Sequence, residues 1–188
     1  MSIQVDLTLL AWLVVEATLL LRDRVRGKGS TARDQGTRRL FVVGWLAAFV
    51  LATAAADAIG SHPGWALGRG HLPAGLALMW LGLVVRVWAV LTLGASFRTT
   101  VEVDAGQPLV DNGPYRWVRH PSYTGILVIA IGYGLVLGNW LSLAVLIVIP
   151  LATMLRRIGV EEAAMIEVIG PPYLDYQRRT KRLVPGLW

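Results

Sequence analysis

Cysteine is absent from this chain, and with it disulfides, thiolate metal sites and a cysteine nucleophile. Charge is scarce too. Only 16% of the residues are Asp, Glu, Lys or Arg, against 55% hydrophobic, a balance outside the soluble range. No dinucleotide or phosphate-binding glycine loop, nucleophile elbow or Ser/His/Asp set is visible, which argues against a soluble doubly wound enzyme. His62 and His71 lie far from other ligand-type residues, so no metal site is expected. No stretch reads as a linker, and residues 1–188 are expected to form one domain.

The hydrophobic residues fall into four long blocks: about Leu7–Leu21, Leu40–Gly60, Pro73–Leu93 and Tyr123–Leu155. The last is too long for one crossing at roughly 20 residues per span. Gly138-Asn139 near its middle is turn chemistry and splits it into two helices folded back on one another. The expected fold class is an all-α integral membrane protein with five transmembrane helices, the last two a helical hairpin. A cytosolic C-terminal helical segment follows. The alternative is a single long fourth helix.

The basic residues orient this arrangement. Sixteen of the eighteen Lys and Arg residues fall after the first block, between the third and fourth, or after the last. Arg69 alone falls on the opposite side, and Arg86 lies inside a block. By the positive-inside rule the three rich segments are cytosolic and the N-terminus is outside. The net charge of +6 is thereby assigned to membrane orientation, with membrane lipids as partners and no nucleic acid. The first block has no basic residue before it, so an uncleaved span is expected. The expected location is the plasma membrane of a prokaryote; the oligomeric state is left open.

The densest chemistry lies in Gly113-Pro114-Tyr115-Arg116-Trp117-Val118-Arg119-His120-Pro121-Ser122-Tyr123-Thr124-Gly125. Pro121 and Ser122 read as a helix start, whose partial positive charge and free N–H groups suit an anion, and Arg119 and His120 add to that. Glu16 and Arg86 each stand several residues from the cytosolic end of their spans, roughly 9–12 Å deep at about 1.5 Å per residue. They form either the polar wall of a cytosol-facing cavity or a structural ion pair. Beyond the last span come Glu161-Glu162, then Gly170, Tyr173, Tyr176 and the basic run Arg178, Arg179, Lys181, Arg182. The carboxylates are either a solvated face or part of one site with His120, and the basic run reads as a lipid-headgroup contact. Gly125, Gly132, Gly134 and Gly138 flatten one side of the fourth helix, for helix packing or for a flat ligand.

The run NGPYRWVRHPSYTG, the downstream Glu-Glu pair and the ending with Gly170, Tyr173, Tyr176 and RTKRLVPGLW resemble the isoprenylcysteine carboxyl methyltransferase family of integral membrane methyltransferases, relatives of the phospholipid methyltransferases. The resemblance covers about Leu93 to Trp188 and implies a cofactor-binding half over 94–188, with three N-terminal spans over 1–93. It implies S-adenosylmethionine as cofactor, held by Tyr115, Arg119, His120, Tyr123, Gly125, Glu161 and Tyr173. Glu162, Glu161 and Arg86 are the candidate catalytic residues. The acceptor implied is a lipophilic small molecule or lipid-like substrate, first an isoprenylcysteine-like carboxylate. A phospholipid amine, or a non-catalytic membrane scaffold, is the alternative. The sequence departs from many relatives at Val168 and Ile169, where a basic residue and an aromatic usually precede the glycine.

Overall fold

The computed structural model describes residues 3–25, 36–59, 62, 64–98 and 109–186. Arg26, Lys28, Arg33, Gly60 and the terminal Leu187-Trp188 lie outside the described residues. Six α-helices follow in order: α1 (Ile3–Val25), α2 (Thr37–Ile59), α3 (His71–Leu93), α4 (Pro121–Val136), α5 (Trp140–Ile169) and α6 (Pro171–Arg179). Single 3₁₀ turns occupy Gly94–Ser96 and Gly113–Arg116. Among the described residues β-pairing is confined to two isolated bridges, Ala66 with Asn139 and Val118 with Lys181.

Four helices, α1, α2, α3 and α5, are long and apolar enough to cross a membrane. Helix α4, at 16 residues, falls below that length. The break expected at Gly138-Asn139 is present: Gly138 takes a positive φ of 77°, and the Asn139 side chain caps α5 by accepting from the Ser142 N–H at 2.8 Å. The chain reverses there. Gly134 rests on Leu143, and Ile126 packs with Met154 and Ile158 at the far end. Helix α5 runs well past Leu155 to Ile169, so Glu161 and Glu162 belong to the same helix as the apolar stretch.

Helices α3 and α4 meet backbone to backbone. A Cβ on Gly75 would stand 2.6 Å from the Gly132 carbonyl oxygen, and one on Gly82 2.5 Å from that of Gly125. The reverse distances are 2.6 Å for Gly132 and 2.7 Å for Gly125. Each helix thus contributes two glycines seven residues apart, paired in antiparallel register. Small residues permit such an approach where lipid supplies no hydrophobic drive. Gly125 therefore admits α3, in keeping with the helix-packing alternative for the α4 glycines. On the other side, α2 packs on α5 through Gly44 against Thr153 and through Ala48 and Ala52.

The interlock makes a prediction. Gly82→Ala forces a methyl into the Gly125 carbonyl, and overpacking of this kind costs about 1–3 kcal/mol. Thermal unfolding in detergent is expected to show a lower Tm for Gly82→Ala and an unchanged one for Gly68→Ala, where a Cβ meets nothing within 4 Å. Equal Tm values for the two variants would remove the glycine contact from the account.

Candidate functional site

The helix ends on one side of the bundle surround a cavity of about 270 Å³. Its walls come from the C-terminal ends of α1 and α3, the start of α2 and α4, the last third of α5, and α6. One half is apolar, with Leu20, Phe41, Val42, Leu93, Phe97 and Ile126. The other carries Tyr115, His120, Tyr123, Glu161, Tyr173 and Tyr176. Pockets of this composition, apolar with a few convergent polar groups, are the usual form of a small-molecule site.

Glu16 and Arg86, placed at one depth by their sequence positions, are directly paired. Arg86 Nε donates to Glu16 Oε1 at 2.5 Å and Nη2 to Oε2 at 2.7 Å, while Nη1 reaches Ser122 Oγ at 2.7 Å. Arg86 is 6% exposed, and all three residues line the cavity. The residues are both an ion pair and part of the polar wall of the cavity.

The Glu161-Glu162 pair divides its work because neighbouring helix positions point roughly 100° apart. Glu161 faces the cavity. It accepts from the Tyr123 hydroxyl and from Arg157 Nε at 3.0 Å, and Arg157 Nε also reaches the Tyr123 oxygen at 2.5 Å. His120 Nδ1 is 3.6 Å from its other oxygen. Glu162 instead sits behind the wall and is 4% exposed. Arg119 Nε (2.8 Å), His120 Nε2 (3.3 Å), and Arg182 Nε and Nη2 (3.0 and 2.9 Å) surround its carboxylate. Both oxygens are engaged, and Glu162 ties the start of α4, α5 and the C-terminal segment together. Arg182, expected at the lipid headgroups, is drawn inward by the same carboxylate.

The start of α4 is likewise less open than its sequence implies. The Arg119 and His120 N–H groups donate to the Lys181 and Arg182 carbonyls at 2.7 and 3.0 Å. The Tyr123 and Thr124 N–H groups return to the His120 carbonyl, and Pro121 has none to give. Arg119 Nη1 donates to the Gln177 and Thr180 carbonyls at 3.2 and 2.5 Å. Two of its five donors thus hold the tail, and a third, Nε, holds Glu162 on α5. Tyr176 OH donates to the Tyr115 carbonyl at 2.7 Å and Thr124 Oγ1 to that of Leu183 at 2.7 Å, which closes the C-terminal segment over the motif. Burial raises the phenol pKa of Tyr115, Tyr173 and Tyr176, so all three stay neutral.

Sequence reasoning therefore placed Arg86, Tyr115, Arg119, His120, Tyr123, Glu161 and Tyr173 at one cavity, with Glu162 directly behind it. It missed Arg157, Ser122 and Phe97 as wall residues. The spacing of Arg157 four residues before Glu161 on one helix was the signal that could have found it. Among the described residues no cluster of His, Asp or Glu is arranged to hold a metal.

Three comparisons bear on this geometry. Residues 75–167 match the isoprenylcysteine carboxyl methyltransferase family. The protein-S-isoprenylcysteine O-methyltransferase of Saccharomyces cerevisiae is 37% identical over 113 residues, 59% of this chain and 47% of its own length. That of Tribolium castaneum is 34% identical over 113 residues, 59% of this chain and 40% of its own. Arabidopsis thaliana protein-S-isoprenylcysteine O-methyltransferase B is 32% identical over 113 residues, 59% of this chain and 57% of its own. The chain thus spans about half the length of the curated relatives it matches. The solved structure of a eukaryotic intramembrane Ras methyltransferase of this family superposes with a TM-score of 0.61 at 29% identity, covering 78% of this chain and 52% of that one. Residues 75–167, which carry the α3–α4 interlock and most of the site, are thus similar to the isoprenylcysteine carboxyl methyltransferase family.

Proposed function

We propose that this protein methylates the carboxylate of a lipophilic, isoprenylcysteine-like acceptor, using S-adenosylmethionine bound in the cavity. The observation that carries this reading is the juxtaposition, in one cavity, of a tyrosine- and carboxylate-lined half with an apolar half. The residues present suit the cofactor. Neutral tyrosine faces at 115, 173 and 176 attract a sulfonium by roughly 0.5–2 kcal/mol. Glu161, whose side chain is 20% exposed, can accept from an ammonium or a ribose hydroxyl. When bound, S-adenosylmethionine supplies a methyl group on a sulfonium for in-line displacement.

The chain's own residues then position and exclude. Arg157 fixes Glu161 and Tyr123 together, so the polar wall is set before any ligand arrives. Glu162 fixes Arg119 and Arg182, and through them the tail that covers the site. Alignment of reactants can contribute about 7–11 kcal/mol in ideal cases. A carboxylate acceptor is ionised at neutral pH and needs no general base, in keeping with His120 being turned towards two glutamates. Val168 and Ile169 leave the acceptor's headgroup to be read by other residues than in many relatives.

In this reading the chain acts as one domain, with 1–93 the membrane anchor and apolar wall and 94–188 the cofactor half. It lies in the plasma membrane of a prokaryote, N-terminus outside and C-terminus cytosolic, with five crossings. Helix α4 is roughly 24 Å long at about 1.5 Å per residue, short of the roughly 30 Å hydrocarbon core. In this reading it crosses as the first arm of the hairpin with α5, with its start held against α3 by the Arg86–Ser122 contact.

Three outcomes are expected. Alkali treatment of products made with methyl-labelled cofactor and a prenylated thioether acid releases volatile labelled methanol; label that stays behind on a phospholipid amine would replace this acceptor class. Glu161→Gln lowers turnover at least tenfold, about 1.4 kcal/mol of transition-state stabilisation, while the folded fraction is kept. Full activity in that variant would reduce Glu161 to a bystander. Gly68→Cys and Arg178→Cys, both at open positions, are labelled from opposite sides of sealed vesicles, with 178 cytosolic. Labelling of both from one side would overturn the five-crossing arrangement.

A further inference from the structure

Helix α3, long and apolar enough to cross a membrane, turns a stripe of side chains outward. Trp80, Val84, Trp88 and Leu91 recur at helical spacing and are 44 to 71% exposed. Near the end of that stripe the turn at 113–116 folds back on the helix, with Gly113 against Thr92 and Trp88. Trp117, 43% exposed, meets Trp88 edge to face at 5.9 Å. The Arg116 guanidinium lies 4.0 Å over the Trp117 ring. Arg116 is exposed, and among the described residues no carboxylate pairs with it. Asp111, the one acidic residue of 109–120, is taken by Arg179 at 2.5 Å. The other arginines of the basic run expected at the headgroups are engaged as well. Arg178 holds Asp175 at 3.0 Å and Arg182 holds Glu162 at 2.9 Å. An uncompensated guanidinium, stacked on an indole, thus stands at the head of an apolar stripe.

We propose that Arg116, Trp117 and Trp88 seat an anionic phospholipid, its phosphate on the guanidinium and an acyl chain along the α3 stripe. The proposal goes beyond the methyl-transfer reading and does not depend on it. Its first support is depth. Trp88 precedes the end of α3 at Leu93 by about 7.5 Å along the axis, the level at which indoles gather below lipid headgroups. The second is donor geometry. Stacking on a ring face leaves the N–H groups in the guanidinium plane open, and that planar fork matches two oxygens of a phosphate. Neither indole N–H has a partner among the described residues, so both can donate to the phosphate or its glycerol. The third is charge. The ammonium of a zwitterionic headgroup is repelled by Arg116, which also covers the Trp117 face that could attract it. The seat adjoins the cavity, because Arg116 follows Tyr115, a wall residue whose carbonyl accepts from the Tyr176 hydroxyl at 2.7 Å. A bound lipid anchors to the membrane surface the turn that carries Tyr115.

The test gives the purified chain in detergent equal amounts of phosphatidylglycerol and phosphatidylcholine with the same acyl chains. Retained lipid is read by native mass spectrometry. The wild type is expected to keep one phosphatidylglycerol in preference by about fivefold or more, the scale of one basic group near an anionic surface. Arg116→Gln removes the preference. Trp117→Leu, which takes away the platform and leaves the charge, lowers it by about twofold. Arg178→Gln, at an equally open but paired arginine, leaves it unchanged. Glycerophosphoglycerol, the same headgroup without chains, does not compete at the lipid's concentration. Hydrogen exchange across 113–118 slows with phosphatidylglycerol and not with phosphatidylcholine. Equal retention of the two lipids by the wild type, or a preference kept in Arg116→Gln, overturns the proposal. So does an equal loss in Arg116→Gln and Arg178→Gln, which would leave only a generally basic surface. Competition by the chainless headgroup would replace the lipid by a free phosphodiester, and unchanged exchange would overturn the anchoring of the turn. None of these measurements reads methyl transfer, so each outcome stands apart from the acceptor.

Discussion

The contact on which the rest of the molecule depends is the backbone-to-backbone approach of α3 and α4 at two glycine pairs. With no side chain between them, the two helices have one register, and a slip by a residue would drive a Cβ into a carbonyl. That register carries Arg86 opposite Ser122 at the end of the seam and leaves the 113–120 turn to fold back over α3, where the Tyr115 hydroxyl points at the Ala89 carbonyl. The polar site is thus positioned by an apolar constraint several turns away. Lipid gives helices little reason to associate beyond close packing, so a seam without side chains is an effective way to fix a site on a membrane bundle.

The second constraint is electrostatic. Two adjacent carboxylates on α5 organise the cations around them, one towards the cavity and one away from it. Glu162 gathers Arg119, His120 and Arg182 from two distant stretches of chain, and Glu161 gathers Tyr123 and Arg157. A buried carboxylate with two arginines and a histidine around it is satisfied, whereas loss of it would leave the two guanidinium groups facing one another in a poorly solvated place. The order of the site is in this sense set by α5, which reaches out of the apolar stretch to bring both glutamates to the level of the motif.

Much of this was legible in the sequence because the signals are strong. Long apolar runs, the Gly138-Asn139 break and the asymmetry of the basic residues are all one-dimensional patterns. So is the coincidence in depth of Glu16 and Arg86. What was not legible is direction. Gly125 was read as helix packing or as room for a ligand; a glycine says only that something comes close, and here α3 does. Glu161 and Glu162 are indistinguishable on the page until the helix phase is fixed by packing. The free donors of a helix start were credited to a ligand, although residues 181 and 182, sixty positions on, provide the carbonyls that take two N–H groups of the approach to α4. Arg157 was counted for its charge and not for its place one helical turn before Glu161.

The clasp between the 113–120 turn and residues 176–183 has a consequence for how the protein is made. The chain enters the membrane from its N-terminal end, so the glycine seam and the apolar half of the cavity can form while later residues are still being synthesised. The tyrosine-lined half cannot, because Tyr173 and Tyr176, the carbonyl of Thr180 that receives Arg119 and the carbonyl of Leu183 that receives Thr124 emerge last. The tyrosine-lined half is therefore completed only after the helices of the bundle have formed. A ribosome that stops short of residue 183 leaves behind an inserted bundle with an open, uncommitted mouth.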